Sequence, residues 1–395
     1  MNINNYIPKL KGDKVIWALV LFLALISLLA VYSATCSLAY KMEKNTLFYL
    51  IKHLGYMFVG LATIYFTHKI NYTRFISWSR LALYLAILLL IYTLVYGTKL
   101  NHGSRWVSLP VVNITFQSSD FAKLALFVYL ARVLSLKQEV IKDFYKGFIP
   151  VVLPVGIICL LILPANLSTA LMLGFTCCIL FYIGRVNVTH ILILAVSGIA
   201  LIGLMILFII GPRAATWKNR ILTYVSAEKK VAASDDDKED EFQATQAKIA
   251  IANGGLKGLG PGKSMQRNFL PHPYSDFIYA IIIEEYGLLG GAVLMFVYML
   301  FLWRCIRIFQ RCPYAYGAFL AVGLSITLVF QAMLNMGVNV SLLPVTGLTL
   351  PMVSMGGSSI WFTSIAIGII LSVSSNVGET EGTEHKISEL NKATN

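Results

Sequence analysis

Gly254-Gly255-Leu256-Lys257-Gly258-Leu259-Gly260-Pro261-Gly262-Lys263-Ser264-Met265-Gln266-Arg267-Asn268-Phe269-Leu270-Pro271-His272-Pro273-Tyr274-Ser275-Asp276 leads directly into an apolar run that opens at Phe277 and still carries Glu284 and Glu285. A turn-rich polar loop thus delivers one carboxylate, Asp276, to the mouth of a membrane-length helix. Ionisable groups are expensive in hydrocarbon, so residues kept in such a place are functional candidates.

Outward from that stretch the chain is strongly apolar. Of its 395 residues 57% are hydrophobic and only 13% charged, which predicts an all-α polytopic membrane protein rather than a soluble domain. Runs of about twenty apolar residues, enough to cross a bilayer, fall at 15–34, 48–67, 81–98, 119–136, 147–163, 168–184, 188–211, 277–303, 315–336 and 352–375. The expected organisation is an N-terminal cytoplasmic tail (1–14), seven transmembrane helices (15–211), a large extracytoplasmic loop (212–275), three more helices (276–375) and a polar, disordered cytoplasmic tail (376–395). The N-terminal run is too long for the h-region of a signal peptide, and Thr35 before Cys36 is wrong for a lipoprotein cleavage site. The six cysteines show no metal-ligand spacing and read as small hydrophobes.

A net charge of +13 could suggest nucleic acid, but the basic residues sort by side of the membrane instead. Lys9, Lys11, Lys14, Lys69, Arg74, Arg80, Arg132, Lys137, Lys142, Lys146, Arg185, Arg304, Arg307 and Arg311 share one side. The short loops opposite hold only Lys41, Lys44, Lys99 and Arg105. The positive-inside rule then puts both termini in the cytoplasm and Asp276 outside.

Several polar features have plain structural readings. Asp120 and Lys123 can pair across one helix face, and Asn166 can cap the helix that follows it. Asp276 itself can cap a helix and complement its dipole. The acidic run 235–241 reads as a solvated, flexible excursion, whereas 242–253 has helical spacing and stops at Gly254. Gln331, Asn335 and Asn339, spaced by four, fall on one helix face as interhelical glue or as a cavity lining. Lys52 and His53 read as an interfacial pair, the lysine snorkelling. The Gly262-Lys263-Ser264 ending imitates a nucleotide P-loop, but the required earlier glycine is Lys257 and no strand precedes it. These glycines suit close backbone approach to an anion, with Lys263 and Arg267 adding charge.

The sequence resembles the SEDS (shape, elongation, division, sporulation) family of polytopic peptidoglycan polymerases. The resemblance rests on Gly254-Gly255-Leu256, Gly258-Leu259-Gly260, Ser275-Asp276-Phe277-Ile278, Glu284-Glu285-Tyr286-Gly287 and Gly347-Leu348-Thr349-Leu350-Pro351 through Gly356-Gly357-Ser358-Ser359. Arg105-Trp106-Val107, Gln117 through Leu124, the Arg220 entry to the long loop, and Gln243 with Gln246 are also similar to family motifs. Departures include Ser118, Asp120, Asn166, Phe242, Met355 and the absence of the glutamate and histidine that usually precede the aspartate. Within the family the glycine loop is more similar to the division branch, FtsW, than to the elongation branch, RodA.

The resemblance implies a glycosyltransferase that polymerises lipid II, the undecaprenyl-pyrophosphate-linked disaccharide peptide, in septal synthesis at the outer face of the cytoplasmic membrane. It assigns Asp276 as general base toward the acceptor sugar hydroxyl. Arg105, Lys123, Lys263 and Arg267 would stabilise the departing pyrophosphate, with a divalent cation (Mg or Mn) as a candidate aid. Gln117, Arg220, Gln243, Ser275, Gln331, Asn335, Asn339, Thr346, Ser354, Gly356, Gly357, Ser358 and Ser359 join as substrate-binding candidates, and Glu284 and Glu285 as supporting residues that brace neighbouring helices. Implied partners are a class B penicillin-binding transpeptidase and other divisome membrane proteins. A lipid II flippase would also need polar groups inside a bundle, and a scaffold that recruits the transpeptidase is a third reading.

Overall fold

In a computed structural model the described residues are 11–41, 43, 45–100, 103–109, 114–208, 235–271 and 273–393. The apolar runs form helices α1 (Lys14–Lys41), α2 (Thr46–Lys69), α3 (Arg74–Tyr96), α4 (Ser118–Leu136), α5 (Ile149–Ile162), α6 (Leu167–Ile183) and α7 (Val188–Leu207). Helix α8 (Asp235–Gly254) follows, and then α9 (Ile278–Arg311), α10 (Ala315–Asn339) and α11 (Ser358–Ala393). Eight helices among the described residues are long and apolar enough to cross a membrane. Helix α6 is shorter, and α4 carries Asp120, Lys123 and Arg132 along a largely buried length. A lipid-facing helix could not keep such charges, so α4 belongs to the bundle interior.

The main core joins α1, α2, α4, α9, α10 and α11, with residues such as Ile16, Ile64, Leu126, Leu130, Leu320 and Ile370 fully or almost fully buried. Leu81, Tyr84 and Leu88 on α3 and Leu192, Val196 and Ile199 on α7 stay exposed, as side chains turned toward lipid do. Asp13 caps α1 through Val15 N–H at 2.8 Å and pairs with Arg304 of α9, tying the first helix to the eighth apolar run at one end of the bundle.

Several expectations are corrected. The segment after α3, read as a plain loop, is a three-stranded antiparallel sheet of β1 (Thr98–Leu100), β2 (Gly103–Leu109) and β3 (Ile114–Gln117). Trp106 pairs with Gln117, and β3 runs directly into α4. The acidic run is helical rather than a flexible excursion, because α8 begins at Asp235; carboxylates suit the positive end of the helix dipole. The last helix starts at Ser358, not 352, and continues to Ala393, so the C-terminal segment is helical rather than a disordered tail. Asn166 caps α6 as expected, accepting from Thr169 N–H at 3.3 Å.

Helix α9 is two helices, 278–286 and 288–311, meeting at Gly287, whose φ of 72° and ψ of −178° break the helical path. Its start is level with the end of α10, since Ala280 N–H donates to Asn339 Oδ1 at 3.0 Å. The segment from 288 onward, roughly 24 residues or ~36 Å, crosses a bilayer by itself. The segment 278–286 is therefore a separate shelf at the end of the bundle.

Candidate active site

Asp276 lies in the turn before α9. It is not the helix cap: that position is Phe277, which makes no side-chain cap bond. The half-buried carboxylate accepts the Ser275 hydroxyl at 2.7 Å. Its backbone carbonyl accepts two amides, Asn335 Nδ2 at 2.8 Å and Asn339 Nδ2 at 2.9 Å. The preceding carbonyls are held as well, Ser275 by the Ser354 hydroxyl at 2.6 Å and Tyr274 by Met355 N–H at 2.9 Å. Burial and the neighbouring Tyr49 and Asp276 push the Tyr274 phenol up from its ordinary pKa, so it stays a neutral neighbour of the carboxylate. Beneath the turn, Phe277, Ala280 and Ile281 pack with Leu270 and with Ala247 and Ala250 of α8. Gln243 stands one turn before Ala247 on α8.

The amide stripe thus acts as glue that holds backbone carbonyls, and its Gln331 also lines a pocket. Besides the Asp276 carbonyl, Asn335 holds Leu348 O at 2.7 Å and Gln331 holds Thr349 O at 2.9 Å. Gln331 Oε1 accepts from Lys123 Nζ at 2.9 Å, and Lys123 also pairs with Asp120 at 2.8 Å. Gln331 and Asn335 are one helical turn apart, so the buried ammonium and the Asp276 turn lie on the order of 10 Å from each other along α10. Between α4, α10 and α11 a small pocket of about 30 Å³ opens, with Asp120, Lys123, Gln331, Ser359 and Thr363 among its polar lining and Leu124, Phe127, Leu328 and Phe362 among its apolar walls. Ser359 bonds Thr349 at 3.1 Å, and Ser358 accepts Gln117 N–H at 3.1 Å, joining β3 to α11. Thr346, Gly356 and Gly357 sit half-buried in the segment leading to α11.

A second cluster surrounds the break in α9. Glu284 and Glu285 are 0% and 2% exposed. Glu284 accepts the Ser264 hydroxyl and the backbone N–H of Met265 at 3.2 Å and of Gln266 at 3.3 Å. Glu285 accepts the Ser33 hydroxyl and Ser264 N–H. Their carbonyls, freed by the break at Gly287, accept Leu259 N–H and Gly260 N–H, each at 2.9 Å. Arg267 donates to the Ser33 hydroxyl at 2.9 Å, while Lys263 is exposed on the loop. The two glutamates therefore brace the glycine loop and α1, and Arg267 and Lys263 belong to this cluster, not to the Asp276 turn. About 12 Å of helix separates Glu284 from Asp276.

Arg105 stands on β2, one residue before Trp106; Arg220 lies outside the described residues. Among the described residues no three carboxylate, imidazole or thiol groups gather as ligands for a divalent cation. Ser27, Ser33 and Ser264 are functional neighbours the sequence reading missed. Ser27 bonds both His53 and Val353 O at 2.8 Å, holding α2 and the 348–357 segment. The only signal for Ser27 and Ser33 was a hydroxyl inside an otherwise apolar run, and Ser264 was one polar residue among several in the glycine loop.

The comparisons with known proteins agree with this architecture. The family model described as a cell cycle protein, FtsW/RodA/SpoVE, matches residues 13–379. Stage V sporulation protein E of Bacillus subtilis is 34% identical, covering 93% of this chain and 98% of its own. The probable peptidoglycan glycosyltransferase FtsW of Geobacter metallireducens is 32% identical, over 93% of this chain and 96% of its own. Among solved structures, a chain of a peptidoglycan synthase complex superimposes with a TM-score of 0.71 at 24% identity, covering 93% of this chain and 98% of its own. Thermus thermophilus RodA superimposes at 0.67 and 22%, covering 94% and 98%. With nearly its whole length matched, this chain belongs to the FtsW/RodA/SpoVE family of polytopic membrane proteins.

Proposed function

We infer that the protein is a peptidoglycan glycosyltransferase that polymerises lipid II at the outer face of the cytoplasmic membrane, with both termini in the cytoplasm. The observation that carries this reading is the carboxylate of Asp276, fixed on a turn by three backbone acceptors and joined through one amide stripe to the buried Lys123 and an amphipathic pocket. In the mechanism Asp276 takes the proton from an acceptor sugar hydroxyl as that oxygen attacks the donor's anomeric carbon. The bond to the lipid pyrophosphate breaks, and Lys123, with Arg105 from the adjoining strand, receives the developing negative charge. Apolar walls beside a polar rim suit a lipid carrying an anionic head. Arg267, held at the other cluster, and Lys263, exposed on the glycine loop, act on substrate only through that loop.

A flippase would need polar groups through the full thickness of the membrane, whereas this stripe and both clusters sit toward one end. Similarity to a chain of a complex that coordinates polymerization and crosslinking supports a transpeptidase partner of the class B penicillin-binding type. Septal synthesis is the cellular role favoured by the glycine loop and the FtsW relatives; the sporulation relative makes spore-envelope synthesis the second reading. The test is glycan formation from lipid II by purified protein with its transpeptidase partner inactivated. Asp276→Asn abolishes polymer while the thermal unfolding temperature stays unchanged; full activity in that variant would exclude the base role. A dye-quench flipping assay in liposomes separates the transporter reading.

A further inference from the structure

At the end of the bundle opposite Asp276, an open polar pocket of about 360 Å³ lies between the N-terminal segment, the end of α2 and the middle of α11. Its lining includes Lys11, His68, Lys69, Asn71, Ser375 and Asn376, with no carboxylate among the described residues that form it. The site is built rather than incidental. Gly12, at φ +94°, packs so tightly on α11 that a Cβ there would stand 2.8 Å from the Leu371 carbonyl, which anchors Lys11 at the rim. The Ser372 hydroxyl holds the Ile70 carbonyl at 2.5 Å, closing the floor between α2 and α11. Lys69 Nζ is steadied by the Tyr65 hydroxyl at 2.7 Å and lies 4.0 Å from the centre of that ring. Helix α2 is 24 residues long, about 36 Å, so a pocket at its last turn lies where hydrocarbon gives way to headgroups.

We propose that this pocket binds a phosphate group, presented by an anionic lipid of the leaflet opposite the catalytic face or by a soluble phosphate. Two ammonium groups, amide and hydroxyl donors and an imidazole supply what a phosphate's oxygens require, and basic pockets between transmembrane helices at the cytoplasmic edge are where such headgroups dock. The site is independent of the glycosyl-transfer chemistry.

The test uses the full-length protein, purified with equimolar phosphatidylglycerol and phosphatidylcholine and examined by native mass spectrometry. The wild type retains phosphatidylglycerol in preference to phosphatidylcholine. Combining Lys11→Gln with Lys69→Gln lowers that retention about tenfold or more, whereas Lys69→Arg preserves it. Lys142→Gln, which removes a positive charge at the same end outside the pocket, leaves it unchanged. Displacement of the lipid by millimolar inorganic phosphate assigns the site to soluble phosphate as well; resistance assigns it to the lipid. Equal retention of both lipids by the wild type, without phosphate binding, overturns the proposal, as does equal loss in the Lys142→Gln control. Unchanged unfolding temperatures keep a folding defect from imitating the result.

Discussion

At the scale of single residues, the catalytic reading depends on how a carboxylate in a turn is kept in place. Asp276 gains no rigidity from a helix cap; its main chain is held by Asn335, Asn339 and Ser354. Loss of a donor to a buried carbonyl costs about 1–3 kcal/mol. Asn335→Ala, which loses the bonds to the Asp276 and Leu348 carbonyls, should slow turnover about tenfold to a hundredfold. The effect belongs in kcat, with lipid II binding nearly unchanged, and steady-state kinetics on lipid II separate the two. The four-residue spacing of Gln331, Asn335 and Asn339 was legible as a stripe. Its partners were not, because a spacing on one helix says nothing about which carbonyls another segment brings to it.

At the scale of elements, the break in α9 organises the glycine loop. Gly258 and Gly287 both have positive φ, and their backbones approach so closely that a Cβ on Gly287 would stand 2.2 Å from the Leu256 carbonyl. Gly287→Ala therefore meets both backbone strain and a clash, costing at least about 1–3 kcal/mol. It should lower the unfolding temperature and expose 255–263 to protease, as limited proteolysis would show. Glu284→Ala removes the acceptor of Ser264, Met265 and Gln266 and should release the same loop; Glu284→Gln, which keeps an acceptor oxygen, should release it less. Retained protection in Glu284→Ala would mean that the carbonyl bonds to Leu259 and Gly260 suffice alone. The motif containing these residues was visible in the sequence, and its two adjacent glutamates read as braces between neighbouring helices. Only the bend at Gly287 reveals them as loop acceptors on a short shelf.

At the scale of the whole molecule, glycosyl transfer at the outer face requires Asp276 and Lys263 to face away from the cytoplasm. In a background lacking the six cysteines, Lys263→Cys should react with a membrane-impermeant maleimide in spheroplasts, and Lys142→Cys only after lysis. The reverse pattern would place Asp276 on the cytosolic side and remove the glycosyl-transfer mechanism. The alternation of α1 to α7 and α9 to α11 puts the sheet, the glycine loop and the 340–357 segment at one end, with the phosphate pocket at the other.

Apolar length and the spread of basic residues sufficed for a polytopic helical membrane protein, because crossing hydrocarbon demands continuous apolar helix wherever the chain passes through. Local signals of the same kind found the Asn166 cap, the Asp120 and Lys123 pair and the stop at Gly254, since each acts within about one helical turn. The division of the polar residues into two clusters came only from packing. So did the hold of α10 on the Asp276 turn and the bracing of the glycine loop by Glu284 and Glu285. These contacts join residues tens to hundreds of positions apart, and their geometry is set by how the helices bend and lean on one another.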